Sequence, residues 1–193
     1  MPRETQRVGQ NARATSTAEE VTLAQRYSRF YEENFEFVWR TARYLGEPDA
    51  TLDDAVQDTF LVAYRRFGDF DARSSGRTWL FAITLRVVSD HRRSQRRKNR
   101  LLDGIKRMLP KSVATPYERA AHAEDGRALL SALEALSEEQ RVAYVMADLE
   151  DMSAPEIASL LDLNVNTVYS RLRSARRAVA LHLQRLREEG GSE

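Results

Sequence analysis

Arginine and hydrogen-bonding side chains line one face of a predicted helix near the C-terminus. On a wheel of about 100° per residue, they project away from the apolar positions of residues 165–187. These outward side chains are Asn166, Tyr169, Ser170, Arg173, Ser174, Arg176 and Arg177. The segment contains no acid, whereas a face that is merely solvated usually carries both signs of charge. This set suits hydrogen bonding to base edges and phosphates of DNA, and the alternative is the solvated face of a helical bundle.

A second basic stretch follows an aromatic and polar segment in the first half of the chain. Its basic residues are Arg77, Arg86, Arg92, Arg93, Arg96, Arg97, Lys98 and Arg100, against Asp90 alone. The polar loop 71–77 and Trp79 lie at its start. This order suits an unstacked base held beside clamped phosphates. For Trp79 itself, a place in the core is the alternative.

An acidic helix face precedes this basic stretch. The helix predicted to start at Thr51 places Leu52, Val56 and Phe60 on one side. The opposite side carries Asp53, Asp54, Gln57, Asp58, Leu61 and Arg65. Two interpretations stay open at this point. The acids form an ordinary solvated face near a helix N-terminus, where the helix dipole favours negative charge, or they dock on a basic helical partner.

The composition excludes several classes of chemistry. The chain has 193 residues and no Cys, which excludes thiol catalysis, a disulfide scaffold and a zinc ribbon. His91, His122 and His182 are well separated in the sequence, and we expect no metal and no cofactor. We find no paired-carboxylate site, nucleophile constellation or phosphate-binding Gly loop, so an enzyme is the least favoured class. The net charge of +1, from 30 Lys and Arg against 29 Asp and Glu, conceals alternating acidic and basic segments.

The elements that position these side chains are predicted to be helices. Apolar residues recur at helical spacing from Val21 onwards, and no stretch alternates as a half-buried strand does. In the second half, residues 137–140 and 153–156 each have the sequence of a capping box, and Asn164 is the predicted N-cap of the arginine-bearing helix. Two short helices joined by a tight turn predict a helix-turn-helix. The expected fold is all-α, with two small helical domains joined by a linker.

Composition divides the chain into four segments. Residues 1–18 are polar and aperiodic and are predicted to be a disordered tail. The first helical domain is predicted at 19–98, the linker at 99–121 and the second domain at 122–193. An apolar stripe at the start of the linker is either a helix end packed on the first domain or a partner-docking segment. No apolar run reaches the roughly 20 residues that span a bilayer, and we expect a cytoplasmic protein.

Several segments, in a fixed order, resemble the sigma-70 family of RNA polymerase sigma factors, in its small extracytoplasmic-function (ECF) group. They are DDAVQDTF at 53–60, residues 70–80, SDHRR at 89–93, LSEEQR at 136–141, residues 153–158 and NTVYSRLRSAR at 166–176. The resemblance covers residues 27–187 and implies the family's region 2 followed by region 4. It implies a non-catalytic protein that binds core RNA polymerase, directs it to specific promoters and aids melting, under the control of an anti-sigma factor.

The resemblance also implies a role for each set of side chains. The clamp helices of the polymerase β′ subunit would contact Asp54, Gln57, Asp58 and Leu61, and the β flap would contact region 4. A flipped base of the −10 element would be captured by Arg73, Ser74, Ser75, Arg77 and Thr78. The phosphates there would be held by Arg86, Arg92, Arg93, Arg96 and Arg97. The −35 element would be bound by Asn166, Thr167, Tyr169, Ser170, Arg173, Ser174, Arg176 and Arg177.

The chain departs from the family pattern in both DNA-facing segments. Arg86 stands where the family often has Asn, Tyr169 replaces a frequent Lys or Arg, and residues 172–176 read LRSAR instead of the common LHRAR. These departures imply a promoter preference that differs from better-known groups. The main competing hypothesis is a stand-alone helix-turn-helix regulator that binds duplex DNA without polymerase. A protein-binding adaptor is the other, and the acid-free face of residues 165–187 argues against it.

Overall fold

The computed structural model describes residues 4–70, 75–103 and 124–190. Within these ranges the chain forms seven α-helices and no strand. Helices α1 to α3 pack together in one bundle, and helices α4 to α7 form a second. The predicted all-α fold with two helical domains is confirmed. Over the same ranges, no helix has both the length and the hydropathy of a membrane span.

The N-terminal bundle consists of α1 (Glu4–Tyr44), α2 (Asp49–Arg66) and α3 (Gly76–Asp103). A short 3₁₀ turn, Phe67–Asp69, follows α2. Each helix buries apolar residues at helical spacing. These include Phe37, Val38, Ala42 and Leu45 from α1, Leu52, Val56, Phe60 and Ala63 from α2, and Leu80, Phe81 and Val88 from α3. The polar residues of α2 and α3 are therefore turned away from the shared core.

The N-terminal end of α1 differs from the sequence prediction. The helix begins at Glu4, inside the segment 1–18 that composition predicts to be a disordered tail. No proline occurs between residues 3 and 47, so the backbone hydrogen bonds of the helix can continue through this polar segment. The absence of an apolar stripe removes a packing face but does not prevent a helical backbone.

The connection between α1 and α2 also differs from prediction. It passes through Gly46, whose φ of 90° is a conformation that glycine adopts without steric cost. Helix α2 then begins at Asp49, after Pro48, and not at Thr51. The Thr51 hydroxyl donates to Glu47 Oε1 at 2.7 Å, so it ties the helix back to the connection.

The C-terminal bundle consists of α4 (Glu124–Glu134), α5 (Glu138–Tyr144), α6 (Ala154–Leu161) and α7 (Val165–Gly190). Helix α5 continues into a π-helical turn, Val145–Leu149. The core contains Leu133, Met146, Ile157 and Val168, one from each of the four helical segments. Helix α7 packs against α4, α5 and α6, which leaves its opposite face exposed.

The capping sites predicted in this bundle are confirmed. Ser137 and Gln140 form a reciprocal capping box at the start of α5, and Ser153 and Glu156 form one at the start of α6. Asp162 ends α6 in the left-handed conformation, with φ 52°. Asn164 Oδ1 then accepts a hydrogen bond from the amide of Asn166 at 2.8 Å, which caps α7.

The predicted linker starts inside α3. This helix ends at Asp103, so residues 99–103 are helical, and residues 104–121 lie outside the described ranges. The side chains of the apolar stripe in this segment lie outside the described residues.

Candidate nucleic-acid interface

The outer face of α7 carries the polar residues that the helical wheel places there. Its exposed side chains are Asn166, Tyr169, Ser170, Arg173, Ser174, Arg176 and Arg177, and Thr167 is half-buried. Tyr169 is 53 % exposed, which is unusual for a large ring without an external partner. Val168, Leu172 and Ala175 are buried on the inner face. The helix-turn-helix therefore presents an outer face that could enter a DNA major groove.

Acids from α5 and its π-helical turn hold some of the α7 arginines. Arg171 Nη2 lies 2.9 Å from Glu139 Oε2, and Arg176 Nε lies 3.1 Å from both carboxylate oxygens of Asp148. No acid in the described ranges forms such a pair with Arg173, which leaves its guanidinium available to a ligand.

The start of α3 combines a capped helix end with an aromatic cluster. Ser75 Oγ accepts a hydrogen bond from the Thr78 amide at 3.1 Å. The Arg77 guanidinium lies over the Phe37 ring, 5.5 Å from its centre. Behind this helix end, Trp79 stacks on Phe70 with ring centres 4.7 Å apart, so Trp79 is part of the packed cluster. Of the predicted base-capturing residues, Arg73 and Ser74 lie outside the described ranges.

Farther along α3, Arg86, Arg93, Arg96 and Arg97 are exposed, whereas Arg92 is half-buried. Two of these arginines contact the C-terminal bundle. Arg92 Nη1 lies 3.1 Å from Glu138 Oε1, and Arg96 Nη2 lies 3.4 Å from Glu138 Oε2. Arg93 pairs instead with Asp90, one turn earlier, at 3.4 Å. The first turn of α5 thus sits against the basic end of α3.

Further polar groups join the two bundles. The half-buried Arg141 side chain donates to Leu133 O at 2.8 Å within its own bundle, and through Nη1 to Leu45 O at 3.5 Å at the end of α1. Burial, with the neighbouring charge of Arg92, lowers the pKa of the Arg141 guanidinium.

A second acid of the C-terminal bundle lies near the start of α3. Burial raises the pKa of the Glu150 carboxyl, and the nearby charges of Arg40 and Arg77 act against this. The cavity beside Glu150 is also lined by Ser75 and Thr78. In this arrangement the C-terminal bundle faces the same side chains that sequence reasoning assigns to the −10 element.

The acidic face of α2 is exposed, as the sequence predicts. Asp54, Gln57 and Asp58 project outward together, and Leu61, on the same face, is 45 % exposed. A recess lined by aromatic rings of α1 and α2, among them Tyr31 and Tyr64, adjoins them. The exposed apolar side chains beside these acids make the α2 face a candidate protein interface.

One candidate residue was missed by sequence reasoning. His91 Nδ1 lies 3.0 Å from Glu47 Oε1, and its Nε2 lies 3.1 Å from Asp58 Oδ2. The signal in the sequence is its position four and three residues after the apolar Val87 and Val88, on the apolar side of the helix, where a polar ring needs partners. Within the described ranges, no three His, Asp or Glu side chains are grouped as metal ligands.

Each of the two bundles matches a known protein family. The family described as "Sigma-70 region 2" matches residues 30–98. The family described as "Sigma-70, region 4" matches residues 126–179. The two matches cover the acidic face of α2, the basic end of α3 and most of the exposed polar face of α7.

Curated relatives match most of the chain. The ECF RNA polymerase sigma factor SigC of Mycobacterium tuberculosis is 34 % identical over 142 residues, which is 74 % of this chain and 75 % of the relative. The RNA polymerase sigma factor CnrH of Cupriavidus metallidurans is 34 % identical over 145 residues, which is 71 % of this chain and 75 % of that protein.

Solved structures of similar proteins share the fold. CnrH in complex with the cytosolic domain of CnrY aligns with a TM-score of 0.58 and 30 % identity, over 83 % of this chain and 89 % of CnrH. The sigma factor RpoE in complex with the anti-sigma factor NepR from Bartonella quintana aligns with a TM-score of 0.66, over 83 % of this chain and 98 % of RpoE. Its 22 % identity shows likeness of fold alone.

Proposed function

The chain belongs to the sigma-70 family of RNA polymerase sigma factors, in its extracytoplasmic-function group, and we propose that its two bundles hold two promoter elements against core polymerase. As a sigma factor it is a transcription initiation factor. Nucleotide addition belongs to the polymerase, and the chain supplies binding surfaces and no catalytic group. One observation carries the proposal. The first bundle presents an exposed acidic face on α2, and the second bundle presents an exposed face without acids on α7.

The C-terminal bundle, proposed to span 122–193, would read the −35 element with α7. Tyr169, Ser170 and Arg173 are exposed in consecutive turns and could reach base edges. Asn166, Thr167 and Ser174 would add hydrogen bonds, and Arg176 and Arg177 would hold phosphates. The same bundle would contact the β flap of the polymerase.

The N-terminal bundle, proposed to span 19–98, would bind the −10 element through the start and the basic end of α3. Ser75, Arg77 and Thr78 cluster at the capped helix end, where backbone amides and the helix dipole favour a phosphate. Arg73 and Ser74 would extend this set. The exposed Arg86 and Arg97 could contact the DNA backbone directly. Arg93 would first leave Asp90, and Arg92 and Arg96 would first leave Glu138.

The acidic face of α2 would bind the clamp helices of the β′ subunit. Asp54, Gln57 and Asp58 offer oxygen acceptors to basic side chains, and Leu61 adds an apolar contact. The linker, proposed at 99–121, would run towards the RNA exit path. We further propose that the chain acts in the cytoplasm and is held by an anti-sigma factor, a proposal that the complex of CnrH with CnrY supports.

The test is core binding and run-off transcription by a variant of the acidic face. Asp54→Lys combined with Asp58→Asn should abolish binding to core polymerase and promoter-specific transcripts, because it replaces two acceptors by a cation and an amide. Asp69→Lys, an exposed acid beyond the end of α2, is the matched control and should leave both unchanged. Circular dichroism checks that the variants remain helical.

The outcomes separate the competing functions. Unchanged core affinity of the double variant would show that this face does not contact polymerase. Tight and specific binding of duplex promoter DNA by the purified chain, without core polymerase, would favour a stand-alone helix-turn-helix regulator. The sigma-factor proposal expects specific binding and transcripts only when core polymerase is present.

A further inference from the structure

His91 of α3 bridges two carboxylates from different parts of the N-terminal bundle. Its Nδ1 contacts Glu47 Oε1 at 3.0 Å, and its Nε2 contacts Asp58 Oδ2 at 3.1 Å. An ionised carboxylate only accepts hydrogen bonds, whereas a neutral imidazole has one donor and one acceptor. Both contacts are hydrogen bonds only when both ring nitrogens carry protons, which is the imidazolium form.

Glu47 is the fixed end of this bridge. Its side chain is only 1 % exposed, and its Oε1 also accepts from the Thr51 hydroxyl at 2.7 Å. Its Oε2 is buried and has no hydrogen-bond partner. A buried carboxylate with an unsatisfied oxygen is costly without a compensating charge, and the His91 imidazolium supplies that charge. The ring is therefore anchored to the connection between α1 and α2.

Asp58 is the outward end of the bridge. Its side chain is 55 % exposed and lies on the α2 face proposed to contact polymerase. Only Oδ2 meets the ring, so Oδ1 stays open to an external donor. A carboxylate held through one oxygen has lost most of its rotamer freedom before a partner arrives, and this lowers the entropy cost of binding.

The charges around the ring come from several elements. Glu47 approaches from the α1–α2 connection, and Asp54 lines the same recess as Asp58 on α2. On α3, Asp90 and Arg92 flank His91 in sequence, and Arg92 pairs with Glu138 of α5. Burial lowers the pKa of His91, but the hydrogen bonds to Glu47 and Asp58 outweigh it and raise this pKa above its ordinary 6.5.

We propose that His91 is a positioning residue of the polymerase-binding face, which holds the Asp58 carboxylate in place for a basic partner and couples α2 to the DNA-facing helix α3. The inference rests on the proposed contact between α2 and polymerase. It adds His91, a side chain on α3 that polymerase itself need not touch, to the residues on which this contact depends.

The proposal makes core binding dependent on pH in one direction. Protonated His91 orients Asp58, so affinity is highest at pH values below the pKa of His91 in the folded protein and falls as pH rises through it. Stability follows the same sign. Because the folded pKa is raised, the contribution of His91 to stability is fully present below its ordinary 6.5 and is lost as pH rises through the folded value.

The experiment measures core-polymerase affinity of the full chain from about pH 6 to about pH 9, the range that brackets a raised histidine pKa. The wild type should lose about fivefold in affinity across its titration, a size typical of a partly exposed charged pair. His91→Gln should bind at the weaker level at every pH. His182→Gln is the matched control, since His182 lies in the other bundle against Ser131, and should keep the wild-type profile.

A double-mutant cycle with Asp58→Asn tests the coupling. Adding His91→Gln to Asp58→Asn should cause no further loss of affinity. In the free protein, an NMR titration of the imidazole should show a lower pKa for His91 in Asp58→Asn than in the wild type. Thermal unfolding at each pH identifies any variant that has lost the fold. If His91→Gln does so, His91→Asn replaces it in the cycle.

The outcomes distinguish this proposal from the proposed function. If Asp58→Asn weakens core binding but His91→Gln matches the wild type at every pH, polymerase contacts α2 and His91 does not position it. Additive losses in the double variant would also overturn the role of His91. If Asp58→Asn binds core as the wild type does, the contact itself is wrong, while the NMR titration still reports whether the bridge exists.

Discussion

Glu138 is the acid through which the C-terminal bundle holds the basic end of α3, and Glu138→Gln should loosen the two bundles. The pair with Arg92 is the stronger one, because the Arg92 side chain is 17 % exposed and Glu138 is 40 % exposed. We assign it about 1 kcal/mol, and about 0.3 kcal/mol to the pair with Arg96, which is mostly exposed. The sum corresponds to a shift of about tenfold towards separated bundles.

Single-molecule energy transfer would measure this equilibrium. Because the chain has no cysteine, Gly68→Cys and Ala180→Cys supply two unique, exposed labelling positions, one in each bundle. A Cβ at Gly68 meets no atom within 4 Å, so the first label should not disturb the fold. The ratio of molecules with low transfer to molecules with high transfer should grow about tenfold in Glu138→Gln at low salt. This difference from the wild type should shrink as salt screens the ion pairs.

Glu139→Gln provides the control for this measurement. Glu139 stands next to Glu138 in the first turn of α5, so both variants lose the same favourable interaction with the helix dipole. The partner of Glu139 is Arg171, within the same bundle, so the distribution of energy transfer in Glu139→Gln should equal that of the wild type. Equal distributions for Glu138→Gln and the wild type at low salt would refute the inference that these ion pairs hold the bundles together.

Since Arg92 and Arg96 are also the proposed phosphate contacts, Glu138→Gln should raise the affinity of the free protein for DNA in a salt-dependent way.

Three further substitutions test the DNA-reading helix and the local structure. Arg173→Ala should lower discrimination among base-substituted promoters by about 1–3 kcal/mol per contacted base in run-off assays, and a uniform loss on all sequences would make Arg173 a phosphate contact. Ser153→Ala should cost about 1 kcal/mol in urea unfolding by removing the capping box of α6, and an unchanged midpoint would show that the cap adds nothing. Gly46→Ala should lower the thermal midpoint, since φ is 90° and a Cβ there would collide with the Arg141 guanidinium. A midpoint equal to that of the wild type would show that the connection relaxes without strain.

The local elements of this protein could be predicted from short sequence patterns. The capping boxes at Ser137 and Ser153 join residues three apart, and the buried and exposed faces of α2 and α7 follow from helical spacing. Such contacts are decided within one or two turns, so the neighbouring residues contain the necessary information. The predicted start of α2 at Thr51 was wrong by two residues, because the helix begins at Asp49 after Pro48. The Thr51 hydroxyl binds Glu47, four residues earlier, instead of capping the helix.

The sequence by itself determined the all-α fold, the helix-turn-helix and the segregation of charge that a net value of +1 conceals. Only the tertiary structure decided which charges meet. Glu138 could have paired along its own helix, yet it contacts Arg92 and Arg96 of the other bundle. His91 is joined to Glu47 and Asp58, which lie 44 and 33 residues away in the chain. The physical reason is that helical spacing tells which face a side chain occupies, whereas its partner across an interface depends on how whole helices pack.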